Sequence, residues 1–425
     1  MKKILLSVFA FLPFLVAAQD TYLHCGKVVD VKSGKVLTEK TIIVSGDKIK
    51  EIKNGYVSGG ERDKSIDLKN KTVLPGLIDM HVHIESESNP KTYINRYVQN
   101  EADIAFESTV YAKNTLMAGF TTVRDLGGSG VNIALRNAIN KGLVDGPRIF
   151  TAGKSIATTG GHADPTNGMK SDLMGDPGPK EGVVNSPEDG KKAVRQRYKD
   201  GADVIKITAT GGVLSVAKSG SNPQFTVEEI KAITETAKDY GMLTAAHAHG
   251  DEGMQRAILG GVKTIEHGTF MGDATMDMMV KYNSYLVPTI IAGKQVVEKA
   301  AIPGYFPEVV AQKAREVGPL VADMFKRAYK KGVPIAFGTD AGVFTHGLNA
   351  REFGYMVEGG MPVMEALASA TVTNADLLGM GDSLGQLKEG YLADIVAVEE
   401  NPVDNVATLE KVTFVMKNGT VYKNE

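Results

Sequence analysis

Leu77-Ile78-Asp79-Met80-His81-Val82-His83-Ile84 is an apolar run interrupted by one acid and two histidines. It reads as a strand. Alternate side chains of a strand point to the same side, so His81 and His83 can face one interior and chelate one ion, with Asp79 on the same face. Alone, His-x-His is a weak signal, and two ordinary strand histidines explain it about as well.

Runs of the same kind recur at 121–126, 148–152, 204–208, 243–247, 264–267, 285–289 and 335–339. Helical patterns separate most of them, most clearly over 226–240 and 307–331. Strands alternating with helices read as βα units. The span from His83 to Asp340 is close to the roughly 250 residues of a typical (β/α)₈ barrel. An open doubly wound sheet is the alternative, weakened because no Gly-x-Gly-x-x-Gly follows the first strand.

Outside this middle the chain is β-rich at both ends, with 24–30 and 41–44 near the start and 393–398 and 412–416 near the finish. Lys417-Asn418-Gly419-Thr420 is a hairpin turn. The expected architecture is therefore α/β: a TIM-like barrel over 75–374, and a small β-sandwich domain built from 19–74 and 375–425. The connection 156–187 is rich in Gly, Pro, Asp and Asn and has no periodic apolar pattern. It follows a barrel strand, so it should lie over the mouth.

The first eighteen residues stand apart. Lys2 and Lys3 precede an apolar stretch, and Val16-Ala17-Ala18 fits a small-residue cleavage site. This is a secretory signal pattern, too short to span a bilayer comfortably. The expected mature chain begins at Gln19, is secreted to a periplasmic or extracellular space, and has no membrane attachment after cleavage. Cys25 is the only cysteine, so no disulfide forms within the chain. The 425 residues carry a formal net charge of −2 with no basic stripe, which excludes a nucleic-acid partner.

The chemistry-bearing residues fall at the ends of the strand-like runs. His247 and His267 close successive runs, with His249 just beyond the first. Asp340 follows the last run; a carboxylate there needs a partner or a cation, although a helix N-cap is a fair rival. Lys206 sits inside Val204-Ile205-Lys206-Ile207-Thr208, where an unpaired ammonium is disfavoured. It either turns outward to a partner or is modified into an anionic ligand. Active sites of barrels lie at the C-terminal ends of their strands, and His with carboxylate suits Zn²⁺ and its neighbours.

Leu74-Pro75-Gly76-Leu77-Ile78-Asp79-Met80-His81-Val82-His83 and Gly385-Gln386-Leu387-Lys388-Glu389-Gly390-Tyr391-Leu392-Ala393-Asp394 resemble the amidohydrolase superfamily. Gly119-Phe120-Thr121-Thr122-Val123-Arg124-Asp125, Gly160-Gly161-His162, Ala246-His247-Ala248-His249-Gly250 and Ile265-Glu266-His267-Gly268-Thr269 are similar to its prolidase-like and imidazolonepropionase-related group. The resemblance implies two divalent cations, Zn²⁺ by ligand type. It places His81, His83 and Asp340 on the buried ion, His247 and His267 on the exposed one, and a carboxylated Lys206 between them. Imidazolonepropionase lacks the bridging lysine, so Lys206 favours the dipeptidase-like branch.

The expected reaction is cleavage of a dipeptide (Xaa-Pro-like) or N-acyl amino acid by a hydroxide bridging the ions, with Asp340 moving the proton. His162 and His249 are assigned to oxyanion or substrate-carboxylate contacts; for His162, simple ordering of its Gly-rich loop is an equal rival. A cyclic amidase of imidazolonepropionase type, or a lactone, carbamate or phosphate-ester hydrolase, would use the same site. A binding-only relative is disfavoured by the intact ligand set. The partner is thus a small molecule, with homo-oligomerisation left open.

Overall fold

In the computed structural model, which describes residues 19–170 and 172–425, the chain enters on four strands, β1 (Thr21–Asp30), β2 (Lys35–Ser45), β3 (Lys48–Asn54) and β4 (Lys64–Pro75). The expected signal segment lies outside the described residues. β1 pairs antiparallel with β2 and parallel with β4.

The middle is parallel. β5 (Leu77–Val82), β6 (Phe120–Asp125) and β7 (Arg148–Thr151) form one arc. β8 (Ile205–Thr208), β9 (Thr244–Ala248), β10 (Thr264–His267) and β11 (Tyr285–Val287) form another. Ile156 joins the arcs: its N–H donates to the Lys206 carbonyl at 2.8 Å, and its own carbonyl accepts from Thr208 at 3.0 Å.

The eighth position is not the regular strand expected over 335–339. Its backbone still closes the ring. Ala336 N–H donates to Leu286 O on one side, while Met80 N–H donates to Phe337 O and His83 N–H to Ala341 O on the other. Asp340, just beyond the run, is left-handed, with φ 63°. Gly338 also lets the segment press inward; a Cβ there would lie 2.4 Å from Val287 Cγ1. The result is the closed (β/α)₈ barrel.

Helices wrap the outside. Helix Val227–Asp239 matches the expected 226–240 and starts on a capping box between Thr226 and Glu229. The expected helix over 307–331 is instead two, Glu308–Val317 and Leu320–Lys331. Pro319 has no N–H to continue the first and pre-sets the start of the second. Among the described residues no helix is long and apolar enough to cross a membrane.

The chain then returns through β12 (Ile395–Val398), β13 (Phe414–Lys417) and β14 (Thr420–Asn424), giving a seven-stranded sheet ordered β14-β13-β12-β4-β1-β2-β3. The sheet curls: Ile49 N–H donates to Tyr391 O, and Ala393 N–H to Asp47 O. Leu23, Ile42 and Ile49 of one half thereby share a core with Ile395, Phe414 and Met416 of the other. Cys25 is buried in that core as a free thiol.

Candidate metal centre and active site

The strand ends deliver their side chains to one place. His81, His83, His162, Lys206, His247, His249, His267 and Asp340 all line a single cavity of about 320 Å³ at the C-terminal mouth of the barrel. Asp340 Oδ1 lies 3.4 Å from His81 Nε2 and 3.3 Å from His83 Nε2. The donor atoms of His81, His267 and Asp340 lie within 4.8 Å of one another, and so do those of His247, His249 and His267. His267 belongs to both groups, and His249 stands close enough to join the second. Asp79, expected on the face of His81 and His83, lies deeper instead. Its carboxylate accepts from the backbone of His81 and Thr339, the Thr339 hydroxyl and Asn349, tying the first barrel strand to the eighth segment.

Five of the six imidazoles at the cavity are held by one nitrogen, leaving the other for the cavity. His81 Nδ1 donates to Glu266 Oε2 at 2.9 Å, and His83 Nδ1 to the Gly127 carbonyl at 2.7 Å. His267 Nδ1 bonds the Thr289 hydroxyl at 2.7 Å, and His249 Nδ1 that of Thr269 at 2.8 Å. His247 is held the other way round: its Nε2 donates to the Gly211 carbonyl at 3.1 Å, which leaves Nδ1 free. Such partners fix ring orientation and tautomer in metal sites. His81 Nε2 and Asp340 Oδ1 are buried and have no hydrogen-bond partner. A buried lone pair facing a buried carboxylate oxygen is unfavourable unless a cation lies between them. The donor set therefore fits a divalent metal.

Backbone strain concentrates here. His267, Thr289 and Asp340 have φ of 73°, 50° and 63°. For a β-branched residue such as Thr289 this is a true outlier, and each such residue costs about 1–3 kcal/mol. The strain turns His267 and Asp340 into the mouth and sets the Thr289 hydroxyl on His267.

The electrostatics are those of a buried site. Burial pushes the Lys206 amine down to about 8, against the opposing pull of Glu266 and Asp340. Burial also pushes His162 down to about 3, helped by His249, Lys206 and Lys313, so its ring stays neutral. His162 stacks on His247 with centroids 4.3 Å apart, and its Nδ1 is buried without a partner. Only glycine at 212 permits this packing, since a Cβ there would lie 2.2 Å from the His162 ring. The His162 loop lies at the mouth, where the sequence puts it.

Several supporting residues escape a reading of the sequence. Arg124, fully buried in β6, donates to Glu266 Oε1 at 2.9 Å, to Thr264 Oγ1 at 3.1 Å and to the Met80 carbonyl at 2.6 Å. Burial alone would raise the Glu266 carboxyl, but Arg124 and His81 hold it down at about 2. A charge inside a strand run is the only trace these two leave. Lys313, buried on helix Glu308–Val317, donates to the carbonyls of Gly212, Ser215 and Ala217 at 2.8, 2.6 and 2.9 Å. It straps down the loop whose Gly211 carbonyl orients His247, and nothing in the sequence announces this.

Known proteins resemble this chain over nearly its whole length. A solved Xaa-Pro dipeptidase with methionine bound in its active site is 53% identical and superposes with a TM-score of 0.92, over 96% of this chain and 100% of that one. A prolidase solved with N-methylphosphonate-L-proline is 31% identical with a TM-score of 0.88, over 96% and 100%. Ochratoxinase from Aspergillus niger is 30% identical over 97% of this chain and 89% of its own length. The sequence model of the amidohydrolase family matches residues 72–423. This chain therefore belongs to the amidohydrolase family and is a hydrolase of amide C–N bonds.

Proposed function

We propose that the protein is a two-metal peptidase of small substrates, cleaving a dipeptide of Xaa-Pro type or an N-acyl amino acid with a free C-terminal carboxylate. One observation carries this reading: the imidazoles at the strand ends each have one nitrogen tied to a protein partner and the other left for a shared cavity that also holds Asp340 and Lys206. His81, His83 and Asp340 would hold one ion, His247 and His267 the other, both Zn²⁺ by ligand type. When bound, such ions acidify water and polarise a carbonyl.

The chain's own groups do the rest. A Lys206 amine lowered to about 8 is neutral often enough to take up CO₂, releasing a proton, and the resulting carbamate would offer two oxygens as metal ligands. Asp340 accepts the proton of the attacking water and delivers it to the leaving nitrogen. His162 and His249 meet the substrate carboxylate. The similar proteins support a small amide with an amino-acid portion: one is a Xaa-Pro dipeptidase holding methionine and another a prolidase holding a proline phosphonate.

The test is a library of dipeptides, N-acyl amino acids and their C-terminal amides with Zn-loaded protein, alongside metal analysis. Two ions per chain and poor turnover of amides are expected, because a site built for a charged partner rejects analogues lacking it by orders of magnitude. Equal turnover of acid and amide overturns the carboxylate contact, one ion overturns the two-metal centre, and turnover of lactones or phosphate esters alone overturns the reaction. Export is part of the proposal: protein recovered from its own host should begin at Gln19, and retention of Met1 refutes it.

A further inference from the structure

Strand β8 sets two polar side chains on one face. Lys206 and Thr208 are two residues apart and both line the cavity, while Ile205 and Ile207 alternate with them and belong to the core. Lys206 and Thr208 are each 3% exposed. The Thr208 hydroxyl is buried and has no hydrogen-bond partner. Thr210, two residues on, shows the ordinary outcome: its hydroxyl donates to the Gly211 carbonyl at 2.8 Å and accepts from the His249 N–H at 2.9 Å. Among the described residues the buried Lys206 amine makes no side-chain hydrogen bond or ion pair either, not even with the hydroxyl beside it.

Neither side chain is placed there by default. The Thr208 N–H donates to the Ile156 carbonyl at 3.0 Å, and β8 pairs with β9 on its other side. That ladder fixes which face carries residues 206 and 208. Two buried polar groups on one face, both short of a partner and not meeting each other, lack the same thing: polar atoms between them.

We infer that Thr208 is a positioning residue for Lys206: its hydroxyl donates to an oxygen of the Lys206 carbamate and so favours the carboxylated side chain over the free amine. The inference rests on the carboxylated lysine of the reading above. In that step the neutral Nζ attacks the carbon of CO₂. An N–C bond forms, one C=O electron pair moves onto oxygen, and one N–H proton leaves to solvent. The product extends the side chain beyond Nζ by one carbon and two acceptor oxygens. A carboxylate-type oxygen has lone pairs for more than one partner, so an oxygen that ligates a cation still accepts from a hydroxyl. A hydrogen bond to a charged group shifts such an equilibrium about 10- to 100-fold.

The experiment follows the carbamate carbon itself, by carbon-13 NMR of the protein loaded with Zn²⁺ at fixed pH in labelled bicarbonate. Lys206→Ala, which cannot form the carbamate, assigns the signal. Thr208→Val keeps the shape and removes the hydroxyl; the bicarbonate concentration for half-maximal signal should rise about 10- to 100-fold. Thr208→Ser restores the donor and should return the midpoint to near the native value. Without metal and bicarbonate, Thr208→Val should unfold in urea no earlier than the native protein, because a methyl group replaces an unpaired buried hydroxyl. A valine variant that unfolds earlier, or fails to fold, shows a hydroxyl serving the fold and overturns the inference. An unmoved midpoint in that variant, or equal shifts for valine and serine, overturns it too. A native protein that binds zinc and gives no carbamate signal at any bicarbonate concentration overturns the carboxylated lysine itself, and the Thr208 contact with it.

Discussion

His81 Nδ1 donates to Glu266 Oε2 at 2.9 Å across the barrel interior, from a residue 185 positions away in sequence. Arg124 holds the other Glu266 oxygen. This acid fixes the tautomer that leaves His81 Nε2 facing Asp340. Glu266→Gln should therefore weaken Zn²⁺ binding about 10- to 100-fold in chelator competition. Arg124→Met should instead act on stability, lowering it by about 3–5 kcal/mol in urea titration, because it strands a buried carboxylate. Unchanged metal affinity in a folded Glu266→Gln protein would show that His81 needs no such support.

Lys313 lies outside the candidate ligand set. Its ammonium satisfies three loop carbonyls, and that loop supplies the Gly211 carbonyl to His247. In Lys313→Met the loop should loosen, and, on the proposed two-metal reading, the ion at His247 and His267 should be lost at about tenfold lower chelator concentration, with the other ion retained. Lys417→Met is the control: it removes another buried lysine, which donates to the Gly146 carbonyl outside the cavity. Metal release that changes equally in both variants would reduce the Lys313 effect to general destabilisation.

Gly212→Ala introduces a methyl group into the His162 ring. The ring must move, so kcat/KM on a free-acid dipeptide should fall about 10- to 100-fold, as a small misplacement can. Metal content should stay at the native value. Loss of metal together with activity would place His162 among the supports of the ion instead.

Glu352 offers a pH signature away from the candidate metal ligands. Burial raises its carboxyl to about 8, although the backbone N–H groups of Ile290 and Ile291 donate to it. The folded state thus keeps the proton to higher pH than the unfolded state, whose value is the ordinary 4.5. Its contribution to stability is full below 4.5 and declines as pH rises toward 8. Urea midpoints across that window should fall with pH in the native protein and flatten in Glu352→Gln. Parallel slopes would assign the pH dependence to other groups.

Periodicity and residue type made the barrel, the two-ended β domain and the clustered donors readable from the chain. A strand repeats every second residue, so apolar runs mark β5 to β11, and a polar residue closing such a run lies at the mouth whatever surrounds it. Lys206 stood out for the same reason, as a cation inside an apolar strand. Tertiary structure alone decided the rest. The irregular eighth segment, the helix broken at Pro319, the deeper place of Asp79 and the hydrogen bond that orients each of His81, His83, His247, His249 and His267 all depend on atoms brought together from distant parts of the chain. Local pattern records which face of an element is apolar; it carries no record of which distant carbonyl, carboxylate or glycine will meet that face, because only the packed barrel sets those distances.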